Sequence, residues 1–205
     1  MSKVNLISVT PDAEKTIMYC ARVSSSNQDS TNTKLLNYCI KHGHWSIFEM
    51  ANMVIEIETS RAISAQILRH RSFSFQEFSQ RYAKVVGCQT YEARRQDEKN
   101  RQNSIDDMSN EDQTWFRVAQ QNLQQKCSTL YQDALDRGIA KEQARFLLPM
   151  SSTSKLYMNG TLRSWMHYLN LRTGNGTQKE HIEIAEKIKE IFKSEFPIIS
   201  EALEY

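Results

Sequence analysis

The stretch at residues 60–82, SRAISAQILRHRSFSFQEFSQRY, begins with the pattern of a helix and ends as a polar loop rich in arginine. The helix is predicted to end near residue 70, with Gln66, Arg69 and His70 on the face opposite its apolar residues. The remainder lacks helical periodicity, so we expect it to include extended backbone. Arginine offers a planar fork of donors that suits phosphate and carbonyl edges, and phenylalanines lie beside these arginines. The segment is therefore predicted to bind an anionic ligand with a planar ring, such as a nucleotide or a flavin.

The composition favours a helix-rich α+β fold. The chain has 205 residues, 40% of them hydrophobic, but only 6 glycines and 3 prolines. An all-β protein with many tight turns would need more of both residue types. At this length one domain can bury roughly 70% of the surface of the unfolded chain, so a proper core is expected. Because no linker and no internal repeat is visible, residues 1–205 are predicted to form a single domain with a small central β-sheet.

Charge, cysteine content and hydropathy argue against other classes of protein. The net charge is +2, which is too small to indicate binding along a nucleic-acid backbone. The four cysteines form no C-x-x-C pair and have no histidine at zinc spacing, which predicts reduced thiols and no metal site. There is no run of about 18 apolar residues and no signal-peptide pattern, so no association with a membrane is expected. We therefore expect the protein in a reducing cytoplasm.

Elsewhere the pattern predicts short strands and amphipathic helices. Strands are predicted at 4–9, 53–58, 82–90 and 153–158, and helices at 11–23, 34–42, 111–136, 141–147, 161–172 and 178–196. Thr10 is expected to cap the first helix, and Asn159-Gly160 is expected to form a turn. The helix at 111–136 is expected to turn a set of apolar residues inward: Trp115, Val118, Leu123, Leu130 and Leu135.

Three polar segments leave alternatives open. The loop at 24–33 is either an ordinary linker or a carrier of ligand-binding hydroxyls and amides. The charged stretch at 91–113 is either a solvated, partly mobile excursion or a lid or subunit-edge loop. The helix at 161–172 carries donor-rich groups on both faces, so it lies either between two ligand sites or subunits, or on the surface. One face carries Arg163, His167 and Asn170, and the other carries Thr161, Trp165, Tyr168 and Arg172.

The motifs fit a nucleotide and an anionic cofactor better than hydrolytic chemistry. Neither G-x-G-x-x-G nor G-x-x-x-x-G-K-[ST] occurs, so phosphates would be bound by arginines and loop N–H groups. A serine nucleophile near His70 is only weakly indicated, because G-x-S-x-G is missing. An arginine and aromatic module for single-stranded nucleic acid is the alternative, and the acidic Glu49 and Glu77 argue against it.

Several motifs, in order along the chain, resemble those of the flavin-dependent thymidylate synthase family. Arg69-His70-Arg71, Ser74, Glu77, Ser79 and Arg81 are similar to the family signature R-H-R-x-x-S-x-x-E-x-S-x-R. Gly43-His44-x-Ser46-x-Phe48-Glu49 resembles an upstream motif, and Ala144-Arg145-x-x-Leu148-Pro149 a downstream one. Leu162-Arg163, His167, Leu169 and Leu171-Arg172, followed by Gln178 and Glu180, resemble the C-terminal motif. The resemblance covers roughly residues 40–185.

The resemblance implies an enzyme that makes dTMP from dUMP. In the family, 5,10-methylenetetrahydrofolate supplies the carbon, NADPH supplies the hydride through FAD, and no enzyme nucleophile is required. The resemblance also implies a homotetramer on an α+β fold, with each active site shared between subunits and no nucleic acid, membrane or metal bound. The protein would lie in the cytoplasm of a bacterium, or of a host cell if the source is viral. A non-catalytic homologue that serves as an oligomeric scaffold is a third interpretation.

Residue by residue, the resemblance implies two ligand sets. The dUMP set is Gln66, Ile67, Leu68, Arg69, Glu77, Phe78, Ser79, Gln80, Arg81, Arg145 and Arg172. Within it, Ser79 and Arg81 would hold the phosphate with Arg145 from a neighbouring subunit, and Arg172 would be catalytic by favouring ionisation of the uracil at N3. The FAD set is Ser46, Arg69, His70, Arg71, Glu77, Thr161, Leu162, Arg163 and His167, and His44 matches a family histidine near the flavin and folate.

Two positions depart from the family pattern. Gly176 stands where members often carry histidine, and Met50 stands where they commonly carry histidine or another polar residue. Glycine makes the loop after Arg172 more pliable, so the cofactor contacts of that loop stay open.

Overall fold

The computed structural model of the chain describes residues 2–174 and 176–205, which form eight α-helices and six β-strands. The strands are β1 (Lys3–Val9), β2 (Asn52–Ser60), β3 (Ser74–Glu77), β4 (Arg95–Gln96), β5 (Ser104–Ile105) and β6 (Thr153–Thr161). The helices are α1 (Ala13–Ala21), α2 (Lys34–Lys41), α3 (Arg61–Ile67), α4 (Asn110–Asp136), α5 (Lys141–Ala144), α6 (Leu162–Arg172), α7 (Lys179–Glu195) and α8 (Pro197–Ala202). Short 3₁₀ helices lie at Trp45–Glu49 and Arg145–Leu147. The predicted helix-rich α+β fold with a small sheet is confirmed.

The main sheet is antiparallel, with the strand order β1-β2-β6-β3. Side chains alternate along β2, so Ile55 and Ile57 are completely buried while Glu56 and Glu58 lie on the opposite face. On that opposite face Lys155 of β6 forms ion pairs with both glutamates, at 3.2 and 3.0 Å. The sheet therefore has one face that belongs to the core and one polar face.

Helices α6 and α7 contribute to the core that covers the apolar face of the sheet. Trp165 and Leu169 of α6 and Ile184 and Ile188 of α7 are completely buried. Trp165 Nε1 donates a hydrogen bond to the carbonyl of Met53 at 3.0 Å, which attaches α6 to β2. Burial of a large apolar side chain stabilises the fold by roughly 1.5–3 kcal/mol. Burial of Trp165 and its hydrogen bond to Met53 together hold α6 in a defined position beside the sheet.

The predicted turn at Asn159-Gly160 and the predicted strand at 82–90 are both wrong. Asn159 and Gly160 lie inside β6 and pair with β2. A Cβ atom at position 160 would lie 2.5 Å from the ring of Phe73, so glycine serves close packing there and not a turn. Residues 82–90 form no strand in the described structure, and their strand-like pairing is an isolated bridge between Cys88 and Ser152.

Two helix ends also differ from the prediction. Helix α1 begins after Asp12, whereas the Thr10 hydroxyl accepts a hydrogen bond from the N–H of Asn52 at 2.9 Å and does not cap the helix. Helix α3 ends at Ile67, so Arg69 and His70 lie in the turn that follows and do not share a helix face with Gln66. A short turn therefore separates the helix from β3 and determines where the arginines point.

The predicted burial of the apolar face of α4 is wrong for four of its five residues, whereas Leu135 is partly buried. Trp115, Val118, Leu123 and Leu130 are exposed, with 68% exposure at Trp115 and 54% at Leu123. The residues of α4 that are buried are Tyr131 and Ala134. The sequence shows an apolar stripe, but periodicity alone does not say whether the stripe meets its own core or another chain.

The inward face of α4 is instead lined by glutamines that bind the backbone of residues 89–93. Gln113 accepts from the N–H of Ala93 at 2.9 Å and donates to its carbonyl at 2.7 Å. Gln120 does the same at Tyr91, at 3.0 and 2.7 Å. The stretch at 91–113 is thus neither simply solvated nor a free lid at its start, and further along it forms the β4–β5 hairpin.

Candidate active site

The arginine-rich stretch forms α3, a turn and β3, which pairs with β6. Beyond β3, the N–H of Phe78 donates to the carbonyl of Lys155 at 2.8 Å and continues the pairing. The hydroxyl of Ser164 in α6 donates to the carbonyl of Ser72 at 3.1 Å, which holds the turn against α6. The signature residues are therefore presented at the edge of the sheet, beside α6.

His70 and Arg172, 102 residues apart, are brought together at this edge. Arg172 Nε donates a hydrogen bond to His70 Nε2 at 2.9 Å. Burial, and then the positive charge of Arg172, lower the pKa of His70 to about 4, so the imidazole is neutral and accepts this bond. Among the described residues the two Nη groups of Arg172 have no hydrogen-bond partner. The histidine thus orients the guanidinium and leaves its fork of donors for a ligand.

On the face of α6 that carries Thr161, Trp165, Tyr168 and Arg172, the two aromatic residues are not available to a ligand, whereas Arg172 remains at the site. Trp165 and Tyr168 are buried, and the Tyr168 hydroxyl lies 2.9 Å from His181 Nε2 with a shared hydrogen bond. Burial, followed by the charges of Arg172 and His70, lowers the pKa of His181 to about 3, and burial raises the pKa of Tyr168. The aromatic part of this face belongs to the core and supports Arg172 and His70 from behind.

Glu77, predicted as a ligand of both dUMP and FAD, lies at the junction of three elements. Its carboxylate accepts hydrogen bonds from Arg61 and Ser64 of α3, and from Ser154 of β6 at 2.9 Å. Burial raises the pKa of Glu77, but these bonds and the Arg61 charge outweigh that effect, so the pKa is lowered overall. Both oxygens already have partners, and sequence reasoning missed those partners. The spacing of Arg61 and Ser64, three apart on one helix face, was the available signal.

The predicted phosphate-binding arginines both contact Glu142 of α5. Arg81 Nη2 lies 3.1 Å from the Glu142 carboxylate, and Arg145 Nε donates to the Glu142 carbonyl at 3.1 Å. The hydroxyl of Ser79 accepts from the N–H of Arg81 at 3.3 Å, which shapes the loop after β3. One chain therefore places Arg81 at the carboxylate of Glu142 and Arg145 at its backbone carbonyl, and Glu142 was not singled out from the sequence.

The residues predicted to bind FAD lie mostly at the start of α6 and in the turn after α3. Arg163 pairs with Glu49, and the ring of His167 lies edge-on to Trp45 with 5.3 Å between centroids. The Thr161 hydroxyl caps α6 by accepting from the N–H of Ser164 at 3.3 Å. Arg163 and Arg172 are about 13 Å apart along the axis, because a helix rises 1.5 Å per residue.

The other predicted ligand residues differ in exposure. Leu162 and Ile67 are completely buried, so only their backbones are accessible to a ligand. Leu68, His70, Phe78 and Gln80 are half-buried, and the exposed members are His44, Ser46, Arg69 and Arg71. In the part of the chain that the structure describes, no group of three or more His, Cys, Asp or Glu residues could hold a metal ion. Nor is any described helix long and apolar enough to cross a membrane.

A family model and individual relatives of known name both match the chain, and they indicate the same family. The family model described as "Thymidylate synthase complementing protein" matches residues 5–198. A flavin-dependent thymidylate synthase of Synechocystis sp. is 55% identical over 193 residues, covering 94% of this chain and 90% of that protein. A probable flavin-dependent thymidylate synthase of Paramecium bursaria Chlorella virus 1 is also 55% identical, over 197 residues, covering 94% of this chain and 91% of that protein.

A solved structure agrees with this result. A UMP/dUMP methylase from Streptomyces cacaoi, bound with 5-Br dUMP, has a TM-score of 0.89 at 25% identity and covers 100% of this chain and 95% of its own. The match extends over the whole chain. The chain belongs to the flavin-dependent thymidylate synthase family.

Proposed function

We propose that the chain converts dUMP to dTMP with bound FAD, methylenetetrahydrofolate as carbon donor and NADPH as reductant, and that Arg172 activates the uracil. The observation that carries this proposal is the bond from Arg172 Nε to the neutral His70, which leaves both Nη groups available. A guanidinium in this position stabilises negative charge on the pyrimidine as it develops. The family assignment replaces the alternative of a nucleic-acid-binding module.

The donor-rich side chains present fit an anionic, planar cofactor. Arg69 and Arg71 in the turn after α3 are exposed. Arg163 lies at the start of α6, and His167 is exposed in the middle of that helix. When bound, FAD supplies the hydride for the methyl group, and the protein supplies binding and orientation. Arg163 would bind the cofactor after exchanging its exposed partner Glu49, which is a small cost for a surface ion pair.

The nucleotide phosphate is assigned to the loop after β3 together with Arg145. Arg81 and Ser79 provide a guanidinium and a hydroxyl, and Arg145 adds a second guanidinium. Glu77 acts in this scheme by holding α3, β3 and β6 together, since its oxygens are engaged by Arg61, Ser64 and Ser154. The half-buried Glu77 thereby positions the loop for phosphate.

We further propose a homotetramer in which each active site is shared between subunits. The apolar residues that α4 exposes support this assembly, as does the exposed Phe146 next to Arg145. Burial of Phe146 against a neighbouring chain would carry Arg145 toward that chain's nucleotide. A cytoplasmic location is part of the proposal, because the four cysteines, Cys20, Cys39, Cys88 and Cys127, are free thiols.

The test compares two arginine variants at opposite ends of α6. The purified protein should be yellow, bleach with NADPH without oxygen, and form dTMP from dUMP with methylenetetrahydrofolate. Arg172→Ala should lower kcat by roughly 100-fold or more while flavin stays bound, because one charge-stabilising donor is lost. Arg163→Ala should release flavin instead. A colourless wild-type protein, or equal loss of flavin and turnover in both variants, would contradict the assignment.

A further inference from the structure

We propose that Arg94, Glu180 and Gln178 form a relay that fixes the orientation of the Gln66 amide, so that Gln66 presents its oxygen to the nucleotide. The relay makes these three residues positioning residues for binding, and none of them needs to touch the substrate. The proposal rests on the proposed function, because it takes Gln66 as a nucleotide ligand.

The relay begins at an ion pair shielded from water and ends at α3. Arg94 donates to one oxygen of Glu180, and each of these side chains is 10% exposed. The other Glu180 oxygen accepts from Gln178 Nε2 at 2.7 Å. Gln178 Oε1 in turn accepts from Gln66 Nε2 at 2.6 Å. An unbroken line of donors and acceptors therefore connects the ion pair to the predicted nucleotide ligand.

The polarity of this line follows from the charged end. A carboxylate only accepts hydrogen bonds, so Gln178 must turn its nitrogen toward Glu180 and its oxygen toward Gln66. Gln66 must then turn its own nitrogen toward Gln178. The side-chain amide of an isolated glutamine can flip, which swaps the positions of its oxygen and nitrogen, because the two ends are nearly the same size. Here the Gln66 oxygen is left facing away, without a hydrogen-bond partner among the described residues.

The start of the relay is held by α4. Gln113 binds both the N–H and the carbonyl of Ala93, the residue before Arg94. Gln178 is the residue before α7, and Glu180 is buried in the first turn of that helix. The segment that α4 holds and the start of α7 thus meet at the ion pair, and their position is transmitted to Gln66 through Gln178.

A fixed acceptor on Gln66 selects the chemistry of the group that it binds. The phosphate and the carbonyls of dUMP offer only acceptors, which would face the Gln66 oxygen unfavourably. The donors of dUMP are the 3′-hydroxyl of the sugar and the N3–H of the uracil. The Gln66 oxygen is therefore assigned to one of these donors and not to the phosphate.

The experiment measures nucleotide dissociation constants on the FAD-loaded enzyme with three probes. These are dUMP, 2′,3′-dideoxy-UMP, which lacks the hydroxyl, and 3-methyl-dUMP, in which a methyl group replaces the N3 hydrogen. We expect the wild type to bind one analogue roughly 3- to 10-fold more weakly than dUMP, the loss of one hydrogen bond. The weaker analogue identifies the donor that Gln66 accepts.

The variants Gln178→Leu and Glu180→Gln break the polarity of the relay at two points. We expect each to reduce the discrimination against that analogue to roughly twofold or less, and to raise the KM for dUMP more than it changes kcat. Gln178 is exposed, so its variant retains the buried ion pair and the fold. Glu183→Gln on the same helix removes an equal charge outside the relay and should leave the discrimination as in the wild type.

A charge exchange within the relay separates polarity from simple damage. In the double variant E180Q/Q178E the carboxylate moves next to Gln66, and the new amide accepts from Arg94 while it donates to that carboxylate. The polarity at Gln66 is restored, so the discrimination should return although two residues differ. Dissociation constants are compared as ratios within each variant, so a general loss of stability does not produce the pattern.

Two results overturn the inference alone. One is a wild-type enzyme that forms dTMP but binds all three nucleotides equally, and the other is unchanged discrimination in Gln178→Leu and in Glu180→Gln. Failure of E180Q/Q178E to restore discrimination also contradicts the fixed polarity. A wild-type enzyme that neither binds dUMP nor forms dTMP overturns the proposed function, and the inference with it.

Discussion

His70 accepts a hydrogen bond from Arg172 only as a neutral imidazole, which links the site to pH. Its pKa in the folded chain is about 4, below the ordinary 6.5, so the folded state binds fewer protons than the unfolded state between these values. The contribution of neutral His70 to the stability of the folded state is fully present above pH 6.5 and is lost as the pH falls toward 4. His181 acts in the same direction, with a pKa of about 3.

His70→Gln should therefore flatten the decline of the unfolding free energy between pH 6.5 and 4.5, because glutamine can accept from Arg172 but does not titrate there. Urea unfolding at several pH values measures this slope. The exposed His42→Gln serves as a control with the wild-type slope. An unchanged slope in the His70 variant would show that the pair does not contribute to acid sensitivity.

Glu142 forms an ion pair with Arg81, and the phosphate of the nucleotide has to displace the Glu142 carboxylate. The pair is half exposed, so separating it costs only about 0.2–1 kcal/mol. Glu142→Gln should bind dUMP roughly two- to fivefold more tightly at low salt, and the difference should shrink as salt screens the charges. Calorimetric titration of dUMP at two salt concentrations tests this, with the exposed Glu186→Gln as the control. Weaker binding in the Glu142 variant would mean that this carboxylate helps to order the loop instead.

At the scale of elements, α4 holds residues 89–93 through side-chain amides in place of a neighbouring strand. Gln113 and Gln120 are separated by seven residues, which brings them to the same helix face, and Gln124 extends the row by donating to the carbonyl of Gln89 at 2.9 Å. A glutamine amide offers both an N–H donor and a carbonyl acceptor, as the backbone of a strand residue does. The row explains why the inward face of this helix is polar.

Gln120→Ala should release the backbone of Tyr91 while the rest of the fold persists. Two hydrogen bonds are lost, which lowers the unfolding free energy by about 1–3 kcal/mol. Hydrogen exchange measured by mass spectrometry should become faster in residues 89–93. The exposed Gln125→Ala should leave exchange there unchanged. Equal exchange in both variants would indicate that packing, and not the amide row, orders this segment.

At the scale of the whole molecule, the exposed face of α4 is the surface on which the proposed tetramer depends. Leu123→Glu places a charge on that face, and a buried unpaired charge at a subunit interface is strongly unfavourable. Sedimentation should show smaller species than the wild type, and dTMP formation should fall with assembly because the sites are shared. Gln121→Glu, on a polar side of the same helix, should assemble normally. A tetrameric Leu123 variant would place the interface elsewhere.

Most of the secondary structure follows from local sequence patterns. The alternation along β2 and the periodicity of α6 and α7 are properties of neighbouring residues, so they were predictable. Asn159-Gly160 was wrongly predicted as a turn because its glycine is required for close packing against Phe73, which is distant in sequence. The face of α4 was misassigned because an apolar stripe has the same pattern whether it meets a core or another chain.

The sequence by itself determined the family and the chemical types at the site, because motifs such as Arg69-His70-Arg71 keep their order and spacing in the unfolded chain. Only the tertiary structure decided which of these groups meet. It pairs Arg172 with His70, engages Glu77 with Arg61, and connects Gln66 to Glu180. The physical reason is that hydrogen-bond polarity depends on the group within about 3 Å, whereas pKa depends on burial and nearby charges. Both are supplied by distant parts of the chain.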